Sequence, residues 1–124
     1  MSNTEIAKKA YEFFGSGDIA GLLNLYSDDI KCTTPKIENG AYSGSREGKE
    51  ALVEFFEKLA ESEEFSQFEP KEFIAEGDKV VVLGEFTATV KATGNTYSAE
   101  WVHVTTFKNG KITEFQEFFD TGEA

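Results

Sequence analysis

Basic residues are scarce in this chain: 12 Lys and Arg face 23 Asp and Glu, a formal net charge of −11. A surface of that sign repels phosphate backbones and anionic bilayers, so neither nucleic acid nor membrane is an expected partner. Cysteine occurs once, at Cys32. That excludes an intramolecular disulfide and fits a reducing compartment, so a cytoplasmic location is expected. No run approaches the ~20 apolar residues of a membrane span. The opening MSNTEIAKKAYEFF lacks the basic start and apolar block of a signal peptide. No His/Cys/Asp/Glu group has metal-ligand spacing. GSG and SGSREG lack the strand–turn–helix setting of a phosphate loop, and no G-x-S-x-G elbow occurs. Neither a metal nor another cofactor is expected.

What the chain has instead is phenylalanine, 12 in 124 residues. So many rings in so short a chain imply a bulky core or the wall of an apolar cavity. The length suits one domain over residues 1–124, with a core that needs no disulfide or metal.

The hydrophobic period divides the chain. In the first half, Ser2 and Glu5 are spaced as a capping box, and Ile6, Ala10, Phe13 and Phe14 recur at helical spacing up to Gly15-Ser16-Gly17. Asp18 can cap a short second helix carrying Leu22, Leu23 and Tyr26. SDDIKCTTP reads as a short strand, KIENGAYSGSREG as a loop, and GKEALVEFFEKLAES as a third helix with Leu52, Phe55, Phe56 and Leu59 on one face. The second half alternates. QFEPKEFIA, KVVVLGEFTATVKA, TYSAEWVHVTTF and KITEFQEFFD read as strands, separated by turn signals at Glu76-Gly77-Asp78, Thr93-Gly94-Asn95 and Lys108-Asn109-Gly110. Three helices followed by an antiparallel meander make an α+β fold. Strand KVVVLGEF is apolar on both faces, with Val80, Val82 and Phe86 on one and Val81 and Leu83 on the other. Helices can cover one side; a second copy of the chain is expected on the other.

GSGDIAGLLNLYSDDIKCTTP, the Gly-rich loop and GKEALVEFFEKL resemble the opening half of the ketosteroid isomerases. WVHVTTFKNGKITEFQEFFD resembles the closing hairpin of the SnoaL-like polyketide cyclases and limonene epoxide hydrolases. All belong to the nuclear transport factor 2-like superfamily. The resemblance implies a cone-shaped α+β barrel, three N-terminal helices on a strongly bent, mostly antiparallel sheet, open at one end to a pocket, and a homodimer. Carried over residue by residue, it implies a broken set of isomerase residues. Thr34, before Pro35, stands where a carboxylate base is required. Ala10 stands where a tyrosine donates, and the adjacent Tyr11 is expected to point elsewhere. The cyclase aspartate and the isomerase's buried, neutral carboxylic acid both map to His103; an apolar site keeps that acid protonated so that it can donate a hydrogen bond. Of the epoxide hydrolase Asp-Arg-Asp set, Glu117 keeps the last position, but Glu85 and Thr87 occupy the others.

His103 and Glu117 are therefore the candidate catalytic pair. Imidazole exchanges protons near neutrality, and its strand places it on one face with Tyr97, Ala99, Trp101 and Thr105. Glu117 shares a face with Phe115 and Phe119. The hairpin turn sets which residues meet: a two-residue Asn109-Gly110 turn pairs His103 with Gln116, whereas a three-residue turn, which the resemblance favours, pairs Trp101 with Glu117 and His103 with Phe115. Trp101, Phe115, Phe119, Tyr26, Phe86 and Thr34 are the candidate ligand-binding wall, and the expected ligand is a small apolar molecule. Three functions stay open: a proton-transfer enzyme, a non-catalytic ligand binder, and a dimeric interaction module whose own phenylalanines fill the cavity. A cavity of several hundred Å³, roughly the size of known ligand pockets, with His103 exposed to it argues against the third.

Overall fold

The computed structural model describes residues 1–35 and 44–119. Helix α1 spans Asn3–Ser16 and starts with the expected box: the Ser2 hydroxyl accepts from the Glu5 amide at 3.2 Å, and Glu5 accepts from the Ser2 amide at 3.1 Å. Gly17, at φ 77°, takes the left-handed C-cap that a side chain would resist. Asp18 caps the short α2, Ile19–Leu23, through the Gly21 amide. Helix α3, Lys49–Ser62, turns Leu52 and Phe55 into the core.

Six strands follow the order β2-β1-β6-β5-β4-β3, where β1 is Tyr26–Thr34, β2 Gly44–Glu47, β3 Glu63–Glu76, β4 Lys79–Val90, β5 Thr96–Lys108 and β6 Lys111–Phe119. All neighbours pair antiparallel except β1 and β6, which run parallel. The sheet curls around the helices without closing, as expected of the cone. Three elements differ from expectation. Helix α2 ends at Leu23, and Tyr26, expected on it, begins β1 instead. Part of the Gly-rich stretch is strand β2, held to β1 by pairing of Lys31 with Glu47 and a Thr33–Ser45 hydroxyl contact of 3.3 Å. Residues 36–43 of that stretch, and the carboxyl end with Asp120, lie outside the described residues. Strand β3 starts directly at the end of α3 and tolerates Pro70 because it is an edge strand with a bulge between Pro70 and Glu72.

Strand alternation decides what the core sees. Along β4, Val80, Val82, Phe86 and Ala88 are buried. Gly84 continues that inner series, and its missing side chain is required: a Cβ there would overlap the Trp101 ring and the Glu69 carbonyl oxygen. Gly84→Ala is expected to destabilise the fold by about 1–3 kcal/mol, the usual range for overpacking. Urea unfolding checks it, and unchanged stability would mean that both the Trp101 ring and the Glu69 backbone are free to move aside.

Candidate functional site

The inner face of β5 carries Tyr97, Ala99, Trp101, His103 and Thr105, as alternation requires. Neither register expected for the β5–β6 hairpin is found. Asn109 and Gly110 form the two-residue turn, both left-handed at φ 53° and 77°, and Lys108 pairs with Lys111. A bulge at Thr113 then inserts one residue into β6, between the pairs Phe107–Ile112 and Thr106–Glu114. Every later partner shifts by one, so His103 faces Glu117 and Trp101 faces Phe119. Without that extra residue, Gln116 would stand opposite His103.

The result is a hydrogen-bonded row. His103 Nε2 lies 2.7 Å from Glu117 Oε2, and Nδ1 lies 2.7 Å from the Tyr11 hydroxyl. An ionised carboxylate only accepts, which places the ring proton on Nε2, donating to Glu117. Nδ1 then accepts from the Tyr11 O–H. His103 is 2% exposed. Trp101 stacks on it at 3.9 Å between ring centroids, and Phe115 leans on it at 4.6 Å. Tyr11 is a correction: it does not point away but reaches the imidazole. The stripe Ala7, Ala10, Tyr11 and Phe14, at i, i+3, i+4 and i+7, lines the cavity and is the sign in the sequence that it faces inward.

The cavity has a volume of about 90 Å³. His103, Glu117, Phe115, Phe119, Tyr26 and Phe86 line it, together with Tyr11, Cys32, Phe68 and rings from α3. Its volume falls short of the several hundred Å³ of a typical ligand pocket, because phenylalanine rings fill much of the hollow. Two expected wall residues are not at its surface. Trp101 lies behind His103, over Gly84. The buried Thr34 is turned to the β2 side, 3.4 Å from the Gly44 carbonyl and 3.5 Å from Arg46 Nη1. The epoxide hydrolase positions are not brought together either: Glu85 ion-pairs with Lys71 at 3.3 Å and does not line the cavity.

Burial pushes the Tyr11 hydroxyl well above its ordinary pKa, helped by nearby Tyr26 and Glu117, so it stays protonated. Tyr26 is raised likewise, mainly by burial. The Cys32 thiol is pushed up to about 11 by burial, with Arg46 acting in the opposite direction. At pH 8, Cys32 in the folded protein is expected to alkylate at least ~100-fold more slowly than in the urea-unfolded chain. Equal rates would place the thiol in solvent. Among the described residues, no group of His, Cys, Asp and Glu could hold a metal, and no helix is long and apolar enough to cross a membrane.

The SnoaL-like domain family matches residues 7–115. A nuclear transport factor 2-like protein from Burkholderia xenovorans LB400 superposes with a TM-score of 0.88 at 35% identity, covering 98% of this chain and 91% of that one. A protein of Mesorhizobium loti, provisionally named a SnoaL-like polyketide cyclase, gives 0.79 at 32% identity over 95% and 99%. TerC, co-crystallised with polyporic acid, gives 0.86 at 29% identity over 96% and 92%. No curated protein sequence matches significantly.

Proposed function

This chain belongs to the SnoaL-like domain family, and from that premise we propose that it moves a proton on a small, largely apolar molecule bound in its pocket. The observation that carries this reading is the Tyr11–His103–Glu117 row, with 2.7 Å on each side of the imidazole, at the wall of an apolar cavity. Both ring nitrogens are engaged, so the substrate meets the Tyr11 oxygen. A substrate proton passes to that oxygen as the tyrosine's own proton passes to Nδ1. Glu117 stabilises the imidazolium so formed, and the reverse transfer delivers a proton to another substrate atom. A free phenolate never forms, which suits a hydroxyl that burial holds protonated. This is isomerase- or cyclase-type acid–base chemistry. The cyclase name and the polyporic acid of two structural neighbours support a small organic ligand. Residues 1–124 are taken as one domain, in the cytoplasm.

The test is solvent-deuterium uptake into a panel of enolisable aryl ketones. The wild-type protein is expected to exchange at least one of them faster than buffer. No exchange with any ketone, together with measurable binding, would favour the second reading, a non-catalytic binder. The cavity of about 90 Å³ is the observation on that side.

The chain is further taken to form a homodimer through the outer sheet face. Phe118, Val102 and Leu83 lie in one row across β6, β5 and β4, with Phe118 53% and Leu83 36% exposed. Leu83→Asp with Phe118→Asp is expected to yield a monomer by light scattering while the fold persists. A dimer that survives both changes would exclude this face.

A further inference from the structure

Two hydroxyls on the cavity wall take no part in the proton row. Tyr26, at the start of β1, and Thr105, on the inner face of β5, both line the cavity and are 7% and 4% exposed. Among the described residues neither hydroxyl has a hydrogen-bond partner, in contrast to Tyr11, His103 and Glu117. Packing does not seal them off either, so each oxygen keeps surface on the hollow. Buried polar groups are as a rule hydrogen-bonded. What fills this cavity therefore has to supply their partner.

Strand pairing sets the two beside the row. Thr105 is the next inward-facing residue after His103, about 7 Å along the strand. Phe115 of β6 stands opposite both Thr105 and Cys32, and Ile112 stands opposite Tyr26. The Tyr26 hydroxyl is also near enough to Tyr11 to disfavour its ionisation.

Chemistry decides what they bind. Burial holds Tyr26 protonated. The lone pair of a phenol is drawn into its ring, which leaves it a better donor than acceptor. An α-proton taken by Tyr11 leaves charge on the neighbouring carbonyl oxygen, and donors placed at that atom stabilise it. Among the described residues Glu63 and Glu117 line the cavity and no Lys or Arg does, so a carboxylate is repelled and a neutral acceptor fits.

We infer that Tyr26 and Thr105 form the donor subsite for a carbonyl oxygen of the ligand, beside the proton row. This rests on the apolar cavity being a ligand site, as proposed above, and the selectivity it predicts needs no turnover.

Cyclopentanone and methylenecyclopentane differ only in C=O against C=CH₂, and a five-membered ring suits a cavity of about 90 Å³. Both are titrated by NMR in sealed tubes against the wild-type protein, Tyr26→Phe and Thr105→Val. Each substitution removes a hydroxyl and keeps the shape of the side chain. A hydrogen bond of ordinary strength is worth roughly three- to tenfold in affinity. Each variant is expected to weaken the ketone by about that factor and to leave the alkene bound at least as tightly. The infrared carbonyl stretch of the bound ketone rises in the same variants, which a merely structural role would not cause. Loss in Tyr26→Phe alone overturns the part of Thr105, and loss in Thr105→Val alone overturns that of Tyr26. A ketone affinity unmoved in both, or ketone and alkene weakened alike, overturns the subsite while leaving the pocket in place. Failure of both probes to bind the wild-type protein overturns the pocket as well.

Discussion

Replacing His103 by alanine is expected to lower proton transfer by about 10²–10⁴-fold, the usual weight of a positioned acid–base group. In the proposed relay Tyr11 is the group that meets the substrate, and its buried hydroxyl cannot yield a phenolate unaided. The imidazole 2.7 Å away is the route for its proton. Without it, the hydroxyl can donate a hydrogen bond but cannot relay. Glu117→Gln is the companion change. It retains a hydrogen-bond acceptor for Nε2 but removes the charge that stabilises the imidazolium, so the rate falls while binding persists. Both variants are read by deuterium uptake, with thermal unfolding to confirm a folded protein. A His103→Ala protein that exchanges at the wild-type rate would remove the imidazole from the chemistry.

Trp101→Ala carries the largest expected effect on stability, a loss of about 3–5 kcal/mol. The indole is 1% exposed and is packed between His103, 3.9 Å away by ring centroid, and Phe68 at 5.0 Å. It also fills the space that Gly84 leaves open. Its removal leaves a cavity that rigid strands on either side cannot collapse. Trp101→Phe should cost far less. The indole N–H is buried without a hydrogen-bond partner among the described residues, so no polar contact is lost with it. Urea unfolding of the two variants separates the effects. Equal losses would mean that the N–H, and not the ring volume, holds this region.

The local signals of the fold are legible in the sequence because each has a short-range cause. The Ser2–Glu5 box and the Asp18 cap act within a few residues and are found where expected, and the hairpin turns at the Lys108-Asn109-Gly110 signal, though not in an expected register. The parity of β5 is legible for the same reason, since alternation alone brings Trp101 and His103 to one face. The parallel pairing of β1 with β6 joins residues more than 80 positions apart, so no local pattern encodes it. The site is half legible. His103 stands out in the sequence; Glu117 does too, but its orientation does not, because a one-residue bulge at Thr113 reverses the parity of everything after it. Bulges have no strong sequence signature. Tyr11 is misplaced by its single aligned position and placed correctly by the whole helical stripe. Thr34 is expected at the pocket from its place before Pro35, yet hydrogen bonds to the β2 side hold it away.

The chain has a single histidine, which allows one nitrogen-15 NMR measurement to report on the whole site. A slowly exchanging proton on Nε2, displaced by Glu117→Gln, with Nδ1 shifted by Tyr11→Phe and by bound aryl ketone, is the predicted result. A ring that exchanges freely with water and ignores both substitutions would contradict the imidazole's place between Tyr11 and Glu117, and with it the proposed function.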